Sequence, residues 1–99
     1  MVCECGAAEH RAVRTNIGLY DMSSFGKIRV EGPDAEAFLN FISGAQMSVL
    51  AGKIVYTQFL NHRGGIEADV TVTRLSETAY LVVTPAVTRP ADMAWMRRQ

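Results

Sequence analysis

The sequence has no surplus of charge of either sign: ten Lys and Arg balance ten Asp and Glu over 99 residues. Nucleic acid and anionic membrane are therefore not expected partners, because both usually require Lys and Arg clustered on one face. The one dense basic pair, Arg97-Arg98, suits the C-terminal end of a helix. Cysteine is scarce, with only Cys3 and Cys5, and both lie at the extreme N-terminus. Two residues apart in an extended chain, they point to opposite sides and make poor disulfide partners. No second Cys or His pair stands at zinc-site spacing, so the two read as reduced thiols of an intracellular chain. No apolar run approaches the ~20 residues of a membrane span, and no stretch has the three-part build of a signal peptide. The expected location is the cytoplasm, or the mitochondrial matrix in a eukaryote. Internal repeats, low-complexity segments, a phosphate-cradling loop and a nucleophile elbow are also absent.

What remains is a chain that is 48% hydrophobic, enough for the core of one small domain. Residues 1–8 are expected to be a flexible N-terminal segment, with the domain over residues 9–99. Glu9 to Asn16 reads as a helix that stops before Gly18. Lys27 to Val30 alternates charged and apolar residues, the period of a half-buried strand. Gly32 and Pro33 interrupt it, and Asp34 opens a helix whose Ala35, Phe38, Leu39 and Ile42 share one face. Ile54 to Leu60 is rich in β-branched and aromatic residues, and Asn61 to Gly65 makes a hairpin loop. From Ile66 to Val72 the alternation places Ile66, Ala68, Val70 and Val72 on one face and Glu67, Asp69, Thr71 and Thr73 on the other. Ser76-Glu77-Thr78 turns the chain into a strand from Tyr80 to Thr84, and Thr88, Pro90 and Asp92 mark the start of a last helix. The expected fold is α+β: an antiparallel sheet with helices on one face, in the order β-α-β-β-β-α after the first helix.

No catalytic constellation stands out. The informative stretch runs from Leu60 to Leu75, where Asp69 interrupts a β-branched strand on its polar face. Aspartate is depleted from strand interiors, so its presence there needs a reason. Either this face is simply solvated, as Glu67, Thr71 and Thr73 suggest, or it lines a cleft where a carboxylate orients or deprotonates an amine. Tyr56 in the preceding strand has the same two readings: a core residue with its hydroxyl at the edge, or a ligand contact. His62 in the glycine-bearing loop and His10 in the first helix have no partner at metal or triad spacing and are not read as catalytic. Core packing accounts for Trp95.

Three segments, in matching order and spacing, resemble a known family. Arg14-Thr-Asn-Ile-Gly-Leu-Tyr-Asp-Met-Ser-Ser-Phe-Gly-Lys27 resembles the opening motif of the aminomethyltransferase family, whose type member is the T-protein of the glycine cleavage system. Gly52-Lys-Ile-Val-Tyr-Thr-Gln-Phe-Leu-Asn-His-Arg-Gly-Gly-Ile-Glu-Ala-Asp69 resembles its central motif, a strand tyrosine ahead of Gly-Gly-Ile-x-x-Asp. Tyr80-Leu-Val-Val-Thr84 followed by a helix carrying Trp95 resembles the next strand and helix. Asp-Met-Ser-Ser-Phe-Gly-Lys stands where the glycine-cleavage proteins usually have Asp-Val-Ser-His-Met, and Thr84 where they usually have asparagine. Both details resemble the branch attached to sarcosine and dimethylglycine dehydrogenases. Ala45-Gln46 departs from an Asn-Asp pair common in the family.

The resemblance implies tetrahydrofolate as ligand and transfer of a one-carbon unit from an N-methyl or aminomethyl donor. It places Asp69 on the family's key aspartate, near the reacting folate nitrogens, as a buried carboxylate that orients the attack. It places Tyr56 on a folate-contacting tyrosine, and Phe25 and Thr84 on positions that line the pocket with changed side chains. It covers only the first of two similar halves of the folate-binding domain. The later Tyr-Thr-Gly-Glu segment, the C-terminal arginine and the flavin-binding Gly-x-Gly-x-x-Gly unit have no counterpart, so FAD is implied only for a partner domain. The expected partners are folate and the remainder of a parent enzyme, and the chain alone is expected to be inactive. Two alternatives stay open: a non-catalytic binding module on the same scaffold, and a homodimer in which a second copy stands in for the missing half.

Overall fold

A computed structural model describes residues 4–99. The first helix, α1, runs Glu4–Thr15. It thus begins earlier than expected, inside the segment read as flexible; Cys3 lies outside the described residues, while Cys5 is exposed on α1. Strand β1 is Gly26–Glu31, helix α2 Ala35–Ile42, and strands β2, β3 and β4 are Ile54–Leu60, Ile66–Ser76 and Ala79–Thr84. A short 3₁₀ turn, Ala86–Thr88, leads into α3, Arg89–Arg98. No helix among the described residues is long and apolar enough to cross a membrane.

The four strands form one antiparallel sheet in the order β1-β4-β3-β2. Strands β2, β3 and β4 follow each other through tight turns, and β1 adds to the far edge beside β4. The expected α+β architecture with helices on one face is therefore what forms. Alternation decides which residues face the helices. Val70, Val72, Tyr80, Val82, Ile28 and Phe59 turn inward and meet Ala35, Leu39 and Ile42 of α2 and Met96 of α3. Trp95 of α3 stacks on Phe59, with ring centroids 6.0 Å apart and 19° between planes, a geometry that adds to simple burial. Among the described residues, no helix contributes to a core on the opposite face of the sheet.

Polar anchors fix the margins of this core. The buried Tyr80 donates its hydroxyl to the Met47 carbonyl at 2.9 Å, and burial raises the pKa of its phenol. Arg74 lies 5.2 Å from the centre of the Tyr80 ring and donates to the carbonyls of Val49, Ser76 and Glu77. It also pairs with Glu36 of α2 at 3.4 Å. One arginine thus ties the long α2–β2 connection to the β3–β4 turn.

Ile66 departs from expectation. It pairs with Leu60, whereas Ala68 pairs with Phe59, so Glu67 is an extra residue in β3. This bulge breaks the alternation, and Ile66 is 69% exposed instead of sharing the core face of Ala68, Val70 and Val72. Past the bulge, the inward residues of both strands oppose one another.

Candidate ligand cleft on the uncovered sheet face

The bulge sets the register that assembles the site. With Phe59 opposite Ala68, Gln58 stands directly across from Asp69, and Tyr56, across from Thr71, is diagonal to it. All three side chains rise from the face without helices. Tyr56 Oη donates to Asp69 Oδ2 at 2.7 Å, and Gln58 Nε2 donates to Asp69 Oδ1 at 3.1 Å. Each carboxylate oxygen therefore has its own neutral donor, both from β2. The hydrogen bond to a carboxylate favours the protonated phenol, so the Tyr56 pKa is raised; partial desolvation and the charge of Asp69 act in the same direction.

Apolar walls flank this polar cluster. Met22 and Phe25 approach from the segment before β1, and Val83, Thr84 and Pro85 from the end of β4, enclosing a cleft of about 230 Å³. The segment that carries Met22 and Phe25 is folded by its own polar residues. Asp21 Oδ1 accepts from the Ser23 hydroxyl at 2.5 Å and the Ser23 amide at 3.1 Å, a local turn that short polar side chains favour. These bonds lower the pKa of Asp21. Lys27 Nζ then donates to the Ser23 carbonyl at 2.8 Å. Gly26, buried and paired with Thr84, lets the Arg89 side chain cross it; a Cβ there would sit 2.6 Å from Arg89 Cγ.

The structure brings Phe25, Tyr56, Asp69 and Thr84, the residues singled out in the sequence, onto this one cleft. Two of them differ from expectation in detail. Asp69 is exposed, not a buried carboxylate, because the segment carrying Met22 and Phe25 only flanks it and no helix among the described residues packs over it. Thr84 is buried, and its hydroxyl donates to the buried Asp92 of α3, so it braces the cleft floor against α3 instead of offering a donor to a ligand. Gln58, Met22 and Pro85 were not singled out. Only the register across the hairpin, known once the bulge is placed, could have drawn attention to Gln58. His62 and His10 are exposed and do not line the cleft. A larger hollow of about 710 Å³, between the β2–β3 loop and α3, takes in His62 and Trp95 but neither Asp69 nor Tyr56.

Comparison with known proteins places this arrangement. Residues 2–99 match the model of the GCVT N-terminal domain. The chain belongs to this family. Among relatives of this GCVT-type chain, 4-methylaminobutanoate oxidase (formaldehyde-forming) of Paenarthrobacter nicotinovorans is 45% identical over 92 residues. That match covers 93% of this chain and 11% of the oxidase. The aminomethyltransferase of Staphylococcus epidermidis strain RP62A is 36% identical, over 91% of this chain and 25% of its own length. The crystal structure of glycine cleavage system aminomethyltransferase T from Bartonella henselae superposes with a TM-score of 0.73 at 34% identity, over 79% of this chain and 22% of that protein. The GCVT-type fold is thus shared with an aminomethyltransferase, and the chain spans a quarter or less of the length of these relatives.

Proposed function

We propose that the cleft binds the pterin end of tetrahydrofolate, as one part of a larger enzyme that passes a one-carbon unit to that cofactor. The observation that carries the reading is the Asp69 carboxylate, held by Tyr56 and Gln58 beside the apolar wall of Met22 and Phe25. The reduced pterin of tetrahydrofolate has a flat pyrimidinone ring, with N–H donors on its edge, fused to a puckered ring. An aromatic and thioether wall next to a hydrogen-bond-accepting carboxylate suits that chemistry. The cleft is smaller than the roughly 300 Å³ at which whole-ligand pockets begin, so the residues present fit one ring system only. The rest of the ligand would lie against the remainder of the parent protein, which the length of the relatives supports.

Tetrahydrofolate would supply the nitrogens that accept a one-carbon unit. Within this chain, Asp69 would accept a hydrogen bond from the ring edge and orient it. Tyr56, a neutral phenol whose pKa the same hydrogen bond raises, would hold the carboxylate without neutralising it. Phe25 would pack against the ring, and Thr84, through Asp92, would keep the wall at the end of β4 in place. The donor is read as an N-methyl amine of the sarcosine or dimethylglycine kind. The oxidase relative, whose name pairs a methylamino substrate with formaldehyde, supports this branch. FAD, where used, would belong to the remainder of the parent enzyme, acting in the cytoplasm or the mitochondrial matrix.

Calorimetric titration of tetrahydrofolate into the full-length polypeptide that carries this chain tests the reading. Asp69→Asn is expected to weaken binding by at least tenfold, about the value of one hydrogen bond to a charged group. Equal affinity of the variant and the parent protein would exclude the role given to Asp69.

A further inference from the structure

We infer that Gln58 is a positioning residue for Asp69: its amide, with the Tyr56 hydroxyl, fixes the carboxylate in one orientation toward the cleft while leaving its charge uncompensated. The inference rests on the folate reading only for what the carboxylate binds, not for how it is held.

An exposed aspartate on a strand is ordinarily free to rotate about χ1 and χ2. Here two donors take one oxygen each, at 2.7 and 3.1 Å, so a rotation that frees either oxygen breaks a hydrogen bond. Tyr56 and Gln58 stand two apart on one strand and therefore share a face, so the grip comes from one rigid element. The bulge at Glu67 puts Gln58 in the directly opposed position, where side chains are closest. An ionised carboxylate has roughly four acceptor positions, and these two bonds leave others for a ligand's N–H groups.

The kind of donor matters as much as its place. A lysine or arginine at position 58 would also fix the carboxylate, but its charge would cancel much of the attraction for a protonated or N–H-bearing ligand. Neither ion pair among the described residues includes Asp69. Both its partners are neutral. The pair thus fixes geometry and leaves the negative charge available, which suits a site for a polarised amine.

Two measurements on Gln58→Met and Gln58→Glu test the inference, with backbone amide dispersion confirming that each variant is folded. Three-bond couplings between the Asp69 α- and β-protons report its side-chain rotamer without any ligand. The native chain should give the unaveraged couplings of a single χ1 rotamer, and Gln58→Met should average them. Tetrahydrofolate titration of the full-length polypeptide should then show about tenfold weaker binding for Gln58→Met. Gln58→Glu should bind more weakly still at neutral pH and recover on acidification, as one of two facing carboxylates takes up a proton. Averaged couplings in the native chain, or unchanged couplings in Gln58→Met, would overturn the positioning role. So would weak binding in Asp69→Asn beside native affinity in Gln58→Met. Couplings that respond as expected in a protein with no affinity for tetrahydrofolate would instead retain the positioning role and remove the folate reading.

Discussion

Asp69 and Tyr56 form a pair whose consequences can be read without a ligand. The phenol gives its proton to a carboxylate, so ionising it would place two negative charges 2.7 Å apart. Removing the carboxylate charge should release this constraint. In Asp69→Asn, the Tyr56 pKa should fall back toward the ordinary phenol value, followed through the ring carbon resonances of labelled tyrosine; an unchanged midpoint would mean that the hydrogen bond is not formed. The sign for stability follows from the direction of the shift. A phenol whose pKa is higher folded than unfolded contributes stability below the unfolded value, and that contribution disappears as pH rises through the folded one. Asp69 was legible in the sequence because an aspartate inside a β-branched run is conspicuous. Gln58 was not, because a glutamine in a half-buried strand carries no signal until its cross-strand neighbour is known.

The elements that hold the cleft are tied to the core by small numbers of side chains. Gly26 is a tight point: β1 passes beneath the Arg89 side chain with no room for a methyl group. Gly26→Ala must push Arg89, the residue that opens α3, away from β1, at a cost of about 1–3 kcal/mol. Chemical denaturation should show that loss, and Phe25, next in the chain, should shift with it. Arg74 makes the corresponding tie at the other end of the sheet. Arg74→Met keeps the bulk over Tyr80 but removes donors to three carbonyls, and about 2 kcal/mol should be lost in the same measurement. The limits of β2 were legible because its apolar and β-branched run ends at a glycine-bearing loop. The flip of Ile66 was not, because an inserted bulge leaves the hydrophobic pattern of its strand unbroken on paper. Helix α1 was placed too late because its first turn, with alanines and a glycine, carries no periodic apolar face.

At the scale of the whole molecule, only one side of the sheet is sealed. The Cα radius of gyration is 16.5 Å, against roughly 13 Å for a compact domain of this size, and the principal extents are 49 × 28 × 21 Å. The excess comes with an exposed α1 and a segment after it in which Leu19 is fully exposed. On the helix-free face, Ile54 and Tyr56, two apart on β2, stand open, and Tyr56 lines the cleft with the exposed Met22 and Phe25. Contiguous apolar surface of this kind is normally covered by further protein. A chain that spans a quarter or less of its relatives would find that cover in the remainder of a parent polypeptide. Alone in solution, it has only other copies of itself. The isolated chain should therefore self-associate, with an apparent mass in sedimentation equilibrium that rises across the high micromolar range. Ile54→Lys puts a charge on the open face without touching the buried core, so it should suppress that rise and leave the unfolding midpoint nearly unchanged. A strictly monomeric native chain would show that this face tolerates water by itself. The cleft would then need no covering partner.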